Sequence, residues 1–589
     1  QTGLTVQKFD STTSVTSNAN PSVFGQSVTF TATVAPVSPG VATPTGTVTF
    51  FDGVTPICTT VALSGGSATC LTSTLTVGNH TITATYNGDA SYNTSTGSMT
   101  GNPQVVNLAN STTTIDSDTP DPTVVGQAYA VSLTVAPVSP STGTPTGTVN
   151  VSDGTGGTCV VTLSGGTGSC NLTSTSAGTK TLSATYGGDA GFNGSSDTDT
   201  HAVNPAATTT TITNAPTLAS TPTVVGETYA VNWSVAVAGP GALGVALTGN
   251  VTVDAGGGNT CAAAVSAGTC NIVSTTAGLK NITATYAGDA NYNGSTSSGA
   301  AHTVNPAATT TTITNAASLA STPTVVGQSY AVNWNVSVNS PGSLGAALTG
   351  NVTVDAGGGN TCVAAVAAGT CNIVSTTAGL KNITATYAGD SNYNGSTSAG
   401  AAHTVNPAST TTTITSDNPD PSVTGEVVTV NFTVVTNLPG AGTPPGNVVI
   451  TVSGGAETCT GTVAAGTCNI TLTSAGSRTL TATYSGDSNF SGSSHTETHL
   501  VNGAATTTTT ISDVPDPSVV GQVVPVTFSV IANPPGSGTP TGNVVVTVSG
   551  GSETCTGTVA AGTCNITFTT AGARILTATY SGDANYLTS

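Results

Sequence analysis

Charge is what this sequence has least of. Asp, Glu, Lys and Arg make up 5% of its 589 residues, against roughly 25% in an ordinary soluble protein. Only 6 of them are Lys or Arg and 25 are Asp or Glu, a net charge of −19. So few cations argue against nucleic acid and anionic membrane surfaces as partners, since both need clustered positive charge. Aromatic residues are scarce too, with 10 Phe, 13 Tyr and 2 Trp, so any core must be built from Val, Ile, Leu and Ala. No apolar run approaches the ~20 residues of a membrane helix, and no membrane insertion within this chain is expected. The chain opens at Gln1 with no signal-peptide pattern, which reads as a processed product or a segment of a larger precursor. Helix-favouring Glu, Lys, Met and Leu are few, while Thr and Val abound, so strands are the default.

What is present is a repeat. A Thr-Tyr-x-Gly-Asp landmark recurs with its tyrosine at Tyr86, Tyr186, Tyr286, Tyr387, Tyr484 and Tyr580, spaced by 100, 100, 101, 97 and 96 residues. Around each lies one order of features. A Thr-rich run such as Thr208 to Ile212 precedes a Pro-x-Val-x-Gly turn (Pro222 to Gly226) and an alternating strand (Val427 to Val434). A Pro/Gly-rich loop, a Gly-Asn/Thr-Val-x-Val strand (Gly249 to Val253), a Cys-containing hairpin and the tyrosine strand follow, and Val-Asn-Pro closes the unit (Val203 to Pro205). Short strands, alternation of period two and frequent turn signals point to a β-sandwich. In Ile282-Thr283-Ala284-Thr285-Tyr286, Ile, Ala and Tyr should face a core and the threonines water. Helical solenoids, with repeats of ~33–47 residues, are excluded by the period. The boundaries read as a closing strand at 1–8, then repeats at 9–107, 108–205, 206–306, 307–407, 408–503 and 504–589, the last lacking its final strand.

The motifs Gly46-Thr-Val-Thr-Phe-Phe-Asp-Gly53 and Ala277-Gly-Leu-Lys-Asn-Ile-Thr-Ala-Thr-Tyr-Ala-Gly-Asp289 resemble those of the tandem bacterial Ig-like domains of large surface proteins. The resemblance covers essentially the whole chain. It implies six immunoglobulin-like sandwiches in line, all-β, in a family that serves stalks, adhesins and appendages alike. Typical members lack cysteine, and this chain departs from that pattern.

Its cysteines come two per repeat: Cys58/Cys70, Cys159/Cys170, Cys261/Cys270, Cys362/Cys371, Cys459/Cys468 and Cys555/Cys564. Each pair flanks a small-residue turn. Folding Cys159 to Cys170 as a hairpin, with Leu163 opposite Gly166 across Ser164-Gly165, would set the two cysteines directly opposite, within disulfide reach. A metal site lacks a third and fourth His or Cys nearby, and redox catalysis lacks a Cys-x-x-Cys at a helix start. Structural disulfides are therefore expected, with an oxidising, extracytoplasmic setting.

Other recurrent residues have a functional and a plain reading. Lys180, Lys280 and Lys381 stand six positions before their tyrosines and could form Lys–Asn isopeptide bonds, but Arg478, Arg574 and His80 hold the equivalent place. A solvated cation at the start of a strand is expected instead. The Gly-Asp aspartates (Asp89, Asp189, Asp289, Asp390, Asp487, Asp583) could ligate calcium, or close a turn by accepting from backbone N–H groups. Asp116, Asp118 and Asp121 form a second acidic cluster that recurs as Asp417/Asp420 and Asp513/Asp516, while repeats 3 and 4 carry Ala and Ser there. His201, His302, His403 and His499 share one repeat position with no nucleophile beside them. Trp233 and Trp334 read as core filling, and the sequons at Asn281, Asn382, Asn469 and Asn565 are what a chain so rich in Asn and Thr contains by chance. No catalytic residues, metal or cofactor are expected.

Gln1 to Lys8 match a closing strand, in the place of Ala301 to Pro306, and repeat 6 stops at Tyr586 to Ser589, where its own closing strand would begin. The expectation is an extracellular structural protein, a filament or stalk subunit of roughly 200 Å. Two readings of these ends stand side by side: the chain partners itself, polymerised head-to-tail by strand donation through Leu4, Val6, Tyr580 and Tyr586, or the ends reflect a cut through a longer array. The rival is a cell-surface adhesin binding a ligand through sandwich loops.

Overall fold

The computed structural model describes residues 3–589 and is almost entirely β. Of the expected closing strand at 1–8, Gln1 and Thr2 lie outside the described residues. The chain forms two compact units. One runs to Thr223 and resumes over Glu227–Asn305; the other joins Val224–Gly226 to Pro306–Ser589. In each unit, two-sheet sandwiches succeed one another in step with the sequence repeats.

Repeat 5 shows the plan. Thr410–Asn418, Val427–Thr436 and Thr467–Thr471 form a three-stranded antiparallel sheet. The second sheet runs in the order Ser422–Val423, Ser491–Asn502, Gly476–Gly486, Asn447–Val452, Thr458–Thr462. Its pairings are antiparallel, save that Ser422–Val423 lies parallel to the closing strand, with Ser422 opposite Val501. Alternation in the sequence decides which face is core. Val428, Val430, Phe432 and Val434 are buried along one side of their strand, and the residues between them face outward. They pack in one cluster with Val448, Ile450, Leu480, Ala482 and Tyr484 of the other sheet. Each such apolar side chain contributes about 1.5–3 kcal/mol by leaving water, and a one-residue slip would turn the whole set outward, which fixes the register.

In the tyrosine strand of repeat 3, Ile282, Ala284 and Tyr286 are buried as the alternation requires. The tyrosine hydroxyl donates to the Thr248 carbonyl at 2.8 Å, satisfying the one polar atom that burial of the ring would strand. Trp233 and Trp334 are buried in the neighbouring strand position.

Repeats 3 and 4 add something the sequence pattern did not suggest: short helices at Ala215–Ser220 and Ala316–Ser321, each burying one leucine, Leu218 or Leu319. Repeat 6 lacks something instead. Among the described residues its second sheet contains only Thr554–Thr558, Asn543–Val548 and Leu576–Tyr580.

Candidate functional site

The cysteines are bonded in the pairs that the repeat dictates: Cys58–Cys70, Cys159–Cys170, Cys261–Cys270, Cys362–Cys371, Cys459–Cys468 and Cys555–Cys564. Their Cα–Cα separations run from 5.8 to 6.2 Å. The way they face each other differs from the expectation of two cysteines directly opposite in one hairpin ladder. The first of each pair lies in the sheet of the tyrosine strand. There Cys58 stands opposite Phe50, Cys159 opposite Val151, Cys261 opposite Val253, Cys362 opposite Val354, Cys459 opposite Ile450 and Cys555 opposite Val546. The second lies in the other sheet. Cys70 stands opposite Phe30, Cys170 opposite Val131, Cys270 opposite Val231, Cys371 opposite Val332, Cys468 opposite Val430 and Cys564 opposite Val526. Each disulfide therefore ties the edge of one sheet to the edge of the other.

The turn explains the difference. In repeat 2 it pairs Ser164 with Thr167 around Gly165-Gly166, so Leu163 does not face Gly166. Beyond it the two strands part: Thr158–Thr162 joins Thr148–Ser152, and Thr167–Thr173 joins Ala128–Pro137. Two glycines at positive φ, Gly165 and Gly166 (64° and 83°), make this turn possible.

The four histidines are pins. His201 is fully buried, stacked on Tyr129 at 3.7 Å between ring centres. Its Nδ1–H donates to Asp118 at 2.6 Å, and the Thr123 hydroxyl meets Nε2 at 2.7 Å. His499 repeats this with Asp417 at 2.8 Å and Ser422 at 2.7 Å. In repeats 3 and 4 the carbonyls of Leu218 and Leu319, presented by the short helices, replace the aspartate at 2.9 Å. A carbonyl can only accept, so Nδ1 carries the proton there. Asp121 and Asp420 add a second anchor by accepting from Ala202 N–H and Leu500 N–H at 3.0 and 3.1 Å. The closing strand is thus fastened to the start of its own repeat. The donor sets Asp118/Asp121/His201 and Asp417/Asp420/His499, each within 4.8 Å, have the make-up of a metal site. The His-to-carboxylate bond already joins those groups, and the carbonyl version in repeats 3 and 4 shows the role to be structural.

Five of the six turn aspartates take donors on both oxygens, while Asp487, with Pro445 in the place of the donating Thr, takes two backbone N–H groups on one. Asp583 accepts from Asn585 N–H and Tyr586 N–H through one oxygen and from Thr541 N–H and hydroxyl through the other. Burial alone would push its carboxyl up, but these donors outweigh it and hold it at about 2. The calcium reading therefore gives way to turn closure.

The basic position differs from the solvated cation that the sequence suggested. Lys180 is buried, and its Nζ donates to the Ser176 hydroxyl at 2.7 Å and the Ala177 carbonyl at 3.4 Å. Lys280, Lys381 and Arg478 bond the corresponding loops. His80 takes Asp52 and the Thr76 carbonyl instead. In repeats 2, 4 and 5 the loop so shaped meets the following repeat, through Ala177, Ala378 and Ala475, and none of these contacts joins a lysine to an asparagine.

That meeting place recurs within both units and was not singled out from the sequence. At the junction of repeats 2 and 3, Ala242 N–H donates to the Val125 carbonyl at 3.1 Å, and Ala177 N–H donates to Asn291 Oδ1 at 2.9 Å. Repeats 4 and 5 reproduce it with Ala441 to Val326 at 3.1 Å and Ala378 to Asn489 at 2.8 Å. Repeats 5 and 6 do so with Ser537 to Thr424 at 3.2 Å and Ala475 to Asn585 at 2.9 Å. At the first junction Thr142 N–H bonds the Gly25 carbonyl and Phe24 packs edge-on against Phe192. Apolar cores continue across: Val125 and Val203 belong to the cluster of repeat 3, Val326 and Val405 to that of repeat 5. The available signal was the asparagine of Gly-Asp-x-Asn, present at Asn291, Asn392, Asn489 and Asn585 but Ser91 and Gly191 in repeats 1 and 2.

In repeat 6 the corresponding face is open. A cleft of about 670 Å³ is lined by Asp513, Ser518, Val519, Val520, Arg574 and Leu576, among others. In repeat 5 the matching space holds the closing strand. Of the residues expected as subunit contacts, Leu4 and Val6 are exposed and belong to no strand. Tyr580 and Tyr586 are buried in the core, their hydroxyls bonded to the carbonyls of Thr541 and Ser537. Their backbone groups are engaged as well: Tyr580 N–H donates to the Ser589 carbonyl at 2.7 Å and its carbonyl accepts from Ser589 N–H at 3.3 Å, while Tyr586 N–H donates to Asp583 at 2.9 Å.

The family described as bacterial Ig-like domain (group 3) matches residues 15–105, 116–204, 414–503 and 509–589, together more than half of the chain. Repeats 3 and 4, with their added helices, lie outside these matches. No curated protein sequence matches. Among solved structures, similar chains come from a 1.5-MDa bacterial ice-binding adhesin (20% identity, 51% of this chain and 98% of that one, TM-score 0.19). Others are the Escherichia coli adhesin FdeC (14%, 50% and 96%, 0.18) and the N-terminal eight Ig domains of Down Syndrome Cell Adhesion Molecule (11%, 97% and 71%, 0.18). Identities and scores this low say nothing about what this chain binds.

Proposed function

This chain belongs to the bacterial Ig-like domain (group 3) family, and from that premise we propose that it is an extracellular structural protein, the subunit of a filament or stalk, without enzymatic activity. The observation that carries the reading is the repeated junction. One pair of hydrogen bonds recurs between repeats 2 and 3, 4 and 5, and 5 and 6, with apolar core continuing across, so these repeats are added by one and the same joint, as suits a protein whose role is to extend. One disulfide per repeat fits an oxidising setting outside the cytoplasm, and would contribute about 3 kcal/mol to each sandwich in the chain-entropy model.

The finer part of the proposal is polymerisation. Residues 1–8 of one subunit close repeat 6 of the next by strand addition, a heterologous contact that propagates head-to-tail. Support comes from the open cleft in repeat 6 and from Val6, which holds the repeat position of the buried Val203, Val304, Val405 and Val501. Electron microscopy of the purified chain, with and without residues 1–8, tests it. Subunits joined end to end are expected from the full sequence and single particles from the truncation; chains of equal length from both would overturn strand donation.

A further inference from the structure

The junctions between repeats have two halves, and among the described residues one copy of each meets no other repeat. The leading half sits on the earlier repeat: a turn carbonyl accepts, and the residue bearing it is buried, as with Val125, Val326 and Thr424, none more than 3% exposed. The trailing half sits on the later repeat: a Pro-Gly loop whose tip donates its N–H, as Ala242, Ala441 and Ser537 do. In repeat 6 the leading position is Val520, and it is 55% exposed beside the open cleft. In repeat 1 the trailing position is Val41, and it is 94% exposed. Leu4 and Val6, which precede repeat 1 in the chain, are 91% and 86% exposed. Val520, Leu4 and Val6 thus stand in water where their internal counterparts are buried, while the loop tip stays exposed in the internal junctions as well, at Ala242, Ala441 and Ser537, and contributes its N–H.

Resting on the strand-donation reading, we infer that the partner of this face is a second copy of the chain and that the contact between copies is a whole junction, not a strand alone. Val6 enters the cleft in the place of Val501. The Val41 loop docks on the Val520-Gly521 turn, its N–H donating to the Val520 carbonyl as Ala441 donates to Val326. Continuity with an interface that the chain already builds is what favours a second copy over an unrelated partner.

One residue sets this joint apart from the internal ones. Leu4 holds the position of the pinning histidines, while repeat 6 keeps the acceptors that would receive one: Asp513, Asp516 and Ser518 stand where Asp417, Asp420 and Ser422 bind His499. A leucine gives them no donor. The joint between copies therefore forms without the pin and is weaker than the joints inside the chain, and Leu4→His should restore it.

Sedimentation velocity of the full chain over a range of concentrations, with four variants, tests the inference. The full chain should self-associate, deletion of residues 1–8 should abolish this, Val41→Asp should weaken it at least tenfold, and Leu4→His should tighten it at least tenfold. Val41 and Leu4 are exposed, so thermal melts of the variants should match the parent, and Val6→Asp provides a second donor-strand variant. If the deletion dissociates the polymer while Val41→Asp has no effect, strand donation stands and the junction inference falls. If Val41→Asp weakens association and the deletion does not, the donation reading falls. A full chain that stays monomeric at every concentration, as it would if further residues of its own filled the cleft, overturns both. Leu4→His without gain refutes the missing pin.

Discussion

Repeats 5 and 6 are two printings of one plan at a 96-residue offset, and they differ in a way their local sequences do not explain. Gly476–Gly486 is a strand of 11 residues. Its counterpart over 572–582 differs only at Ala573 for Ser477 and Ile575 for Thr479, yet strand structure survives only over the 5 residues Leu576–Tyr580. Isoleucine favours strands at least as well as threonine, so propensity cannot be the cause. In repeat 5 the segment is paired along its length by Ser491–Asn502, from Gly476 opposite Val501 to Gly486 opposite Ser491. In repeat 6 that neighbour is missing, and the half of the strand not held by Asn543–Val548 loses its extended pairing. Leu480 is fully buried while Leu576 is partly exposed. A strand here is a property of the ladder, not of the segment.

Supplying the ladder is the strongest way to break this contrast. Fusing a copy of Ser494–Asn502 after Ser589, which already holds the place of Ser493, should extend the strand back to Gly572, slow amide exchange over 573–576, and raise the stability of repeat 6 by about 3–5 kcal/mol through regained hydrogen bonds and apolar burial. Unchanged exchange at those amides would mean that the sequence, not the missing partner, frays the strand.

The pin sharpens the contrast from the other side. His499→Ala should cost repeat 5 about 3 kcal/mol in a denaturant melt, because Asp417 is left largely enclosed without its donor. Asp513→Ala in repeat 6 should change stability by less than about 0.5 kcal/mol, since no histidine reaches it. Equal losses at the two sites would show that Asp513 has a partner of its own.

The smallest expected effect concerns acid. The Asp583 carboxyl is held at about 2 in the fold, below its ordinary 3.8. Its contribution is complete above that ordinary value and is lost as pH falls through 2, because the unfolded chain binds the proton first. Acid titration of the parent against Asp583→Asn should show repeat 6 weakening between about pH 4 and 2 in the parent, with a flatter profile in the variant.

The sequence was legible where the cause is local or periodic. Alternation along Ile282 to Tyr286 and Val427 to Val434 gave the strands and their buried faces, and the strict two-per-repeat count gave the cysteine partners. Where the cause lies in another part of the repeat, it was hidden. The hairpin register failed because Thr158–Thr162 and Thr167–Thr173 obey neighbours in opposite sheets, neither of which the hairpin contains. The histidines read as idle because Asp118 and Thr123 lie about 80 residues upstream of His201. Lys180 read as solvated because nothing in its neighbourhood announces that Ser176 and Ala177 fold over its ammonium. The helix at Ala215–Ser220 was missed although its proline in the first turn and its alanines allow one; a Thr-rich flank masked it.

The placement of the disulfides has a mechanical corollary. In repeats 3 to 6 the bridge spans a sequence separation of 9, so it locks away roughly 30 Å of contour out of the ~330 Å that an unravelled repeat could reach. A repeat pulled past its limit would still release about nine-tenths of that length, while the knot of two sheet edges stayed tied. Such a repeat can absorb a sudden load by extending and still keep, in its bonded turn, the place from which both sheets re-form.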